Sequence, residues 1–122
     1  PDEKTLYVAN SHGPRPIWMA FDLKPNGLAK QGRVFFDTTA YRGKHPGRQG
    51  GNDGLKVDKQ GNLWAPGPGG VLVFSPEGDH LGTILTGQRT ANCAFGDDGS
   101  TLYMTADMFL MRIRTSVTGL GF

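Results

Sequence analysis

Three stretches of this sequence share one design: an acidic turn, a leucine, an aromatic residue and a strand. They are "DEKTLYVAN" from Asp2, "DKQGNLWAPG" from Asp58 and "DDGSTLYMTAD" from Asp97. Such a repeat constrains the fold strongly, because each copy is one unit that buries its apolar face only against the next. After each copy comes a loop and a second strand, "IWMAFDL", "VLVFSP" or "FLMRIRT", and in the first two copies a third, "GRVFFDTT" or "HLGTIL". An inner-strand candidate, "DGLKVD" or "NCAFGD", stands before the second and third copies.

Four strands in roughly 40 residues is the size of a propeller blade. The first copy lacks its opening strand and the third its last. The chain therefore reads as all-β, about three four-stranded blades of a β-propeller with the first and last incomplete, over portions of about 1–39, 52–86 and 91–115 of a single domain, 1–122. A β-sandwich of three repeats is the alternative, since it also has short strands at even spacing. The aromatic that follows each repeat leucine favours the propeller. No window holds apolar residues at helical spacing between caps, so no helix is expected. The turns "KPNG", "DKQGN", "PEGD" and "DDGS", with most of the 19 glycines and 8 prolines, fall between the strands.

Some functions are disfavoured. Thirteen Lys and Arg against eleven Asp and Glu leave a net charge of +2, scattered along the chain, which argues against a nucleic-acid partner. Apolar runs stop at about five residues, far short of the roughly 20 of a membrane helix, and no signal peptide is read. Cytoplasmic and periplasmic or secreted locations both stay open. The one cysteine, Cys93, makes no internal disulfide and belongs to no zinc pattern; it reads as a small buried hydrophobe. No nucleophile elbow, phosphate loop or dinucleotide fingerprint occurs.

In register, Asp53 leads "DGLKVD" as Asn92 leads "NCAFGD", each ten positions before its repeat leucine, Leu63 or Leu102. Both begin an innermost strand, and such starts share one face of a propeller's channel. Oxygen-bearing side chains gathered there suit a hard cation, which takes six to eight oxygens. The competing reading is that both residues are Asx-turn or strand-cap residues bonding their own backbone two residues on. The same mouth collects the loops at 11–16, 66–70 and 106–108 and the long irregular segment 40–51. From these, His12 and Arg48 are candidate substrate contacts, with Asn92 beside them; solvated loop residues are the bland alternative. His80 is placed in a turn on the opposite side. Trp18, Trp64, Tyr7 and Tyr103 are read as packing between blades.

On "PDEKTLYVANS", "NDGLKVDKQGNLWAPGPGGVLVFSPEGDHLGTI" and "NCAFGDDGSTLYMTADMFLMRIR", nearly the whole chain outside 40–51 resembles the C-terminal part of the gluconolactonase/regucalcin (senescence marker protein) family. The resemblance implies a six-bladed propeller with one divalent ion in its channel, usually calcium, with zinc, magnesium or manganese as alternatives. A glutamate, an asparagine and an aspartate hold that ion. The family's Pro-Asp-Gly reads "NDG" here, so the resemblance makes Asp53 the metal ligand and catalytic carboxylate, with Asn52 in the proline's place. The family's ligand asparagine lies in a "PNGL" ahead of this segment; the "PNGL" at Pro25 is out of register, so one ligand of three is present. The implied reaction is hydrolysis of a sugar lactone by metal-activated water. Alternatives are hydrolysis of organophosphates at a similar site and a non-catalytic propeller that binds a partner at its channel. The partners implied are a small lactone, and either the missing N-terminal half of the ring or a second copy of the chain.

Overall fold

The computed structural model describes residues 1–122. It has ten strands: β1 (Thr5–Asn10), β2 (Ile17–Asp22), β3 (Arg33–Asp37), β4 (Lys56–Val57), β5 (Leu63–Gly67), β6 (Gly70–Phe74), β7 (His80–Leu85), β8 (Thr90–Gly96), β9 (Thr101–Ala106) and β10 (Phe109–Arg114). They form three antiparallel sheets of consecutive strands, β1-β2-β3, β4-β5-β6-β7 and β8-β9-β10. The outer sheets thus have three strands and the middle one four, which is the distribution that the incomplete first and last repeats require.

Alternation along the strands decides what each face buries. In β5 and β6, Leu63, Ala65, Leu72 and Phe74 point towards the first sheet, where they enclose Trp18, itself 0% exposed. Their neighbours Trp64 and Val71 point the other way and pack with Cys93, Leu102 and Met104 of the third sheet. A period of two puts successive side chains on opposite faces, and a sheet covered on both faces reads as a continuous buried run; all five residues of β5 are buried. Trp18 and Phe74 meet at 5.4 Å between ring centroids, and Phe36 and Phe74 at 4.6 Å. Trp18 and Trp64 are therefore packing residues between sheets.

The repeated aspartate and aromatic have a physical reason. Asp58 is 0% exposed. Its Oδ1 accepts from the backbone N–H of Gln60 and of Asn62, both at 2.9 Å. Its Oδ2 accepts from Asn62 Nδ2 at 2.9 Å and Trp64 Nε1 at 3.0 Å. In the next repeat the Tyr103 hydroxyl donates to both carboxylate oxygens of Asp97 at 3.1 Å. In each case the aromatic six residues on closes the acidic turn, so turn and strand form one unit.

One expectation is corrected. Segment 40–51 is not wholly irregular: Thr38–Lys44 form a helix, α1, and β3 ends at Asp37. Asp37 caps it, accepting from Thr39 N–H at 2.8 Å, and those Thr39 bonds hold the carboxyl below the usual range. Arg42 and Lys44 occupy the last turn, where cations suit the helix dipole. The helix buries only Thr38 and Tyr41, one turn apart, too short a pattern for any periodicity search to register. No helix is long and apolar enough to cross a membrane.

Burial pushes the Cys93 thiol from its ordinary 9.0 up to about 12. A pKa raised in the fold stabilises fully below the unfolded value and is lost as pH rises through the folded one. Between pH 9 and about 12 the unfolded chain gives up this proton before the folded chain does, so stability falls across that window. The urea midpoint is expected to drop more steeply from about pH 8 to about pH 10.5 in the native chain than in Cys93→Ala. Parallel slopes would refute this account. Thiol reagents at neutral pH should react with Cys93 only after unfolding.

A cleft built around Asp53

The three sheets bring their loops together at one cleft of about 470 Å³. Ser11 reaches it from the turn after β1, Arg42 from α1, Arg48 and Asp53 from the segment before β4, Arg89 from the connection into β8 and Thr90 from the start of β8. The connection into β8 obeys the same rule that placed 40–51 at the mouth, so Arg89 was within reach of sequence reasoning, yet it was missed.

Asp53 is seated from both sides. Its N–H donates to the buried Pro66 carbonyl at 3.2 Å, and the N–H of Gly54 donates to Ala91 O at 3.0 Å. Asp53 Oδ1 accepts from Gly54 N–H at 2.9 Å, as Asn92 Oδ1 accepts from Cys93 N–H at 2.9 Å. The two residues thus share one bond, from the N–H of the next residue to the side-chain oxygen. That bond reaches the next residue rather than the one two positions on that an Asx-turn would use, and it occupies one oxygen of Asp53; the other makes no hydrogen bond, and no cation lies within ion-pair distance.

Gly54 shows why the aspartate is followed by glycine. A Cβ there would meet the end of the Asn92 side chain at 2.5 to 2.7 Å, so any larger residue would have to push that exposed side chain aside. Asn52, which the sequence reading treated only as a change in backbone stiffness, is 2% exposed. Its Oδ1 accepts from Thr38 Oγ1 at 3.1 Å and its Nδ2 donates to Asn10 O at 3.4 Å. Thr38 Oγ1 also lies 2.7 Å from Pro16 O. Asn52 ties the first sheet, the helix start and the Asp53 turn together.

The other candidates are placed as follows. Asn92 is exposed against Gly54 and does not line the cleft. Arg48 does line it, with its guanidinium donating to the Tyr41 hydroxyl and 5.5 Å from that ring's centroid. His12 sits in an exposed turn, where its N–H is bonded to Asn10 Oδ1 at 3.0 Å, and Ser11 rather than His12 reaches the cleft. His80 is not in a turn but opens β7, with its ring 5.3 Å from Tyr41. Tyr41 and His80 share Thr83 Oγ1, at 2.8 and 2.9 Å. Burial lowers the pKa of His80 and favours the neutral ring as a partner for this hydroxyl. The basic segment is thereby fastened to the middle sheet.

Asp53 and Asn92 offer hard oxygens, which fit a calcium-like ion in kind. They do not fit it in number: no group of three or more His, Cys, Asp or Glu side chains is positioned to hold a metal.

A family described as the SMP-30/Gluconolactonase/LRE-like region matches residues 1–107. The chain belongs to this SMP-30/gluconolactonase family. A gluconolactonase of Zymomonas mobilis is 40% identical over 121 residues, 98% of this chain and 34% of that protein. The solved structure of a gluconolactonase from Xanthomonas campestris has a TM-score of 0.76 at 29% identity, covering 98% of this chain and 35% of that one. That of a calcium-binding regucalcin from Agrobacterium tumefaciens has a TM-score of 0.71 at 26% identity, covering 100% and 45%. The family chain described here spans about a third of the length of the gluconolactonases it matches.

Proposed function

We propose that this chain forms part of a divalent-metal-dependent hydrolase of sugar lactones in which Asp53 is the working carboxylate. The supporting observation is a carboxylate at a polar cleft, one oxygen bonded to Gly54 N–H and the other free, in a member of a family whose relatives include gluconolactonases. Lactone hydrolysis needs a water made nucleophilic and a developing negative charge stabilised on the carbonyl oxygen. A divalent ion such as calcium, when bound, supplies Lewis acidity for both. The free oxygen of Asp53 is this chain's part: it would be one ligand to such an ion, or would accept the proton of the attacking water.

The rest of the site comes from further blades, by this proposal. Leu6 and Val8, on the face of β1 turned from the middle sheet, are 45% and 40% exposed, as an inter-blade face is before its neighbour packs on it. Blades outside residues 1–122 cover that face; a second copy of this chain is the alternative partner. The test replaces the matching third of the Zymomonas mobilis relative with residues 1–122 and follows gluconolactone hydrolysis with and without calcium. Metal-dependent hydrolysis by the folded graft, absent from the 122-residue chain alone, is expected. A folded but inactive graft would overturn the proposal, and an active lone chain would overturn the need for further blades.

A further inference from the structure

Three arginines line the cleft and no lysine does: Arg42 from α1, Arg48 from the following segment and Arg89 from the connection into β8. None has a carboxylate within ion-pair distance, since the chain's three ion pairs are Lys4 with Asp2, Arg33 with Asp22 and Arg114 with Asp98. Two are oriented by neutral acceptors that leave their charge uncompensated. Arg42 Nη2 donates to Gly50 O at 2.6 Å, and Arg48 donates to the Tyr41 hydroxyl. The Arg89 side chain is exposed and makes no hydrogen bond, while its backbone carbonyl is anchored by Asp107 N–H at 2.9 Å. Against these three cations the cleft sets one carboxylate, Asp53. Ser11, Gln49 and Thr90 supply hydroxyl and amide groups, and Ala91 is the single apolar lining residue.

We infer that this cleft selects a sugar lactone carrying its own anionic group, a phosphate or a second carboxylate, rather than a neutral one. This rests on the lactonase reading and names its substrate class. A guanidinium is a planar fork matched to carboxylate or phosphate oxygens, and groups held in place before binding lose less freedom when the ligand arrives. A cleft of this volume admits a sugar-sized molecule. Its polar lining residues suit hydroxyl groups. Hydrolysis of such a lactone opens the ring ester and creates a carboxylate, so the product carries two anionic groups.

The test is calorimetric titration of the 122-residue chain, and of the graft that carries it, with four stable probes: glucitol, gluconate, glucarate and 6-phosphogluconate. At least one of the two doubly anionic probes is expected to bind at least tenfold more tightly than gluconate, the margin shrinking in high salt. Arg89→Gln, which removes no internal bond, should erase most of that margin while gluconate binding changes less; a matching melting temperature shows that the fold is intact. Whichever of glucarate and 6-phosphogluconate binds more tightly identifies the second group. Parity of both with gluconate, or a loss on Arg89→Gln that is equal for all probes, would overturn the inference. Binding is read without turnover, so an inactive graft with a preserved charge preference would sink the lactonase reading alone. An active graft without that preference would sink this inference alone.

Discussion

Asp58→Ala is expected to lower the unfolding free energy by about 3 kcal/mol, the largest stability loss from any single polar truncation in the chain. The carboxylate is fully buried and accepts four hydrogen bonds. Water can reach the turn around exposed Gln60 and replace some of them. It cannot readily reach Trp64 Nε1, which lies between the second and third sheets, so that donor would be left buried without an acceptor. Asp97→Ala removes the matching residue of the next repeat, yet Asp97 is exposed and its Tyr103 hydroxyl turns to solvent, so a loss below about 1 kcal/mol is expected. Urea unfolding followed by circular dichroism measures both. Adding Trp64→Phe to Asp58→Ala removes the stranded donor, and the double variant should lose about 1 to 2 kcal/mol less than the two single losses summed. Equal losses for Asp58→Ala and Asp97→Ala, or strict additivity in the double variant, would show that the buried bond does not hold the repeat together.

The strands were legible because their pattern has a period of two and their turns carry glycine and proline at fixed places. Every strand core named from the sequence is a strand in the structure, and the two three-stranded sheets match the repeats that lack, respectively, an inner and an outer strand. Helix α1 was not legible because its signal is two buried residues, Thr38 and Tyr41, and one cap, Asp37. Asp53 and Asn92 were brought into register by counting back from Leu63 and Leu102, and their matched backbone bonds have that same register. What counting could not supply was everything made by side chains crossing between segments. Asn52 bonds Thr38, fourteen positions earlier, and Asn10, forty-two earlier; Tyr41 meets Thr83, forty-two later. Arg89 stands in a connection whose place the repeats fix, but a single arginine in a short connection carries no pattern of its own.

Asp53→Asn separates chemistry from architecture more sharply than alanine does, and the fold itself supplies the control. At the equivalent strand start Asn92 accepts a backbone N–H through its amide oxygen at 2.9 Å, the same bond that Asp53 makes to Gly54. An asparagine at 53 therefore keeps the turn, the bond to Pro66 and the close packing of Gly54 on Asn92, and removes only the charge and the basicity of the free oxygen. In the graft described above, the melting temperature of Asp53→Asn should stay within about 2 °C of the parent graft, a stability change well under 1 kcal/mol. Its kcat/KM for gluconolactone should fall by roughly 10² to 10⁴, the range for losing a general base or a charged metal ligand. Calcium affinity then divides the two roles. A ligand's loss weakens metal binding and activity together, whereas a base's loss lowers kcat with the metal still bound. Asp53→Asn with undiminished hydrolysis would reduce Asp53 to the turn residue that its bond to Gly54 alone would make it.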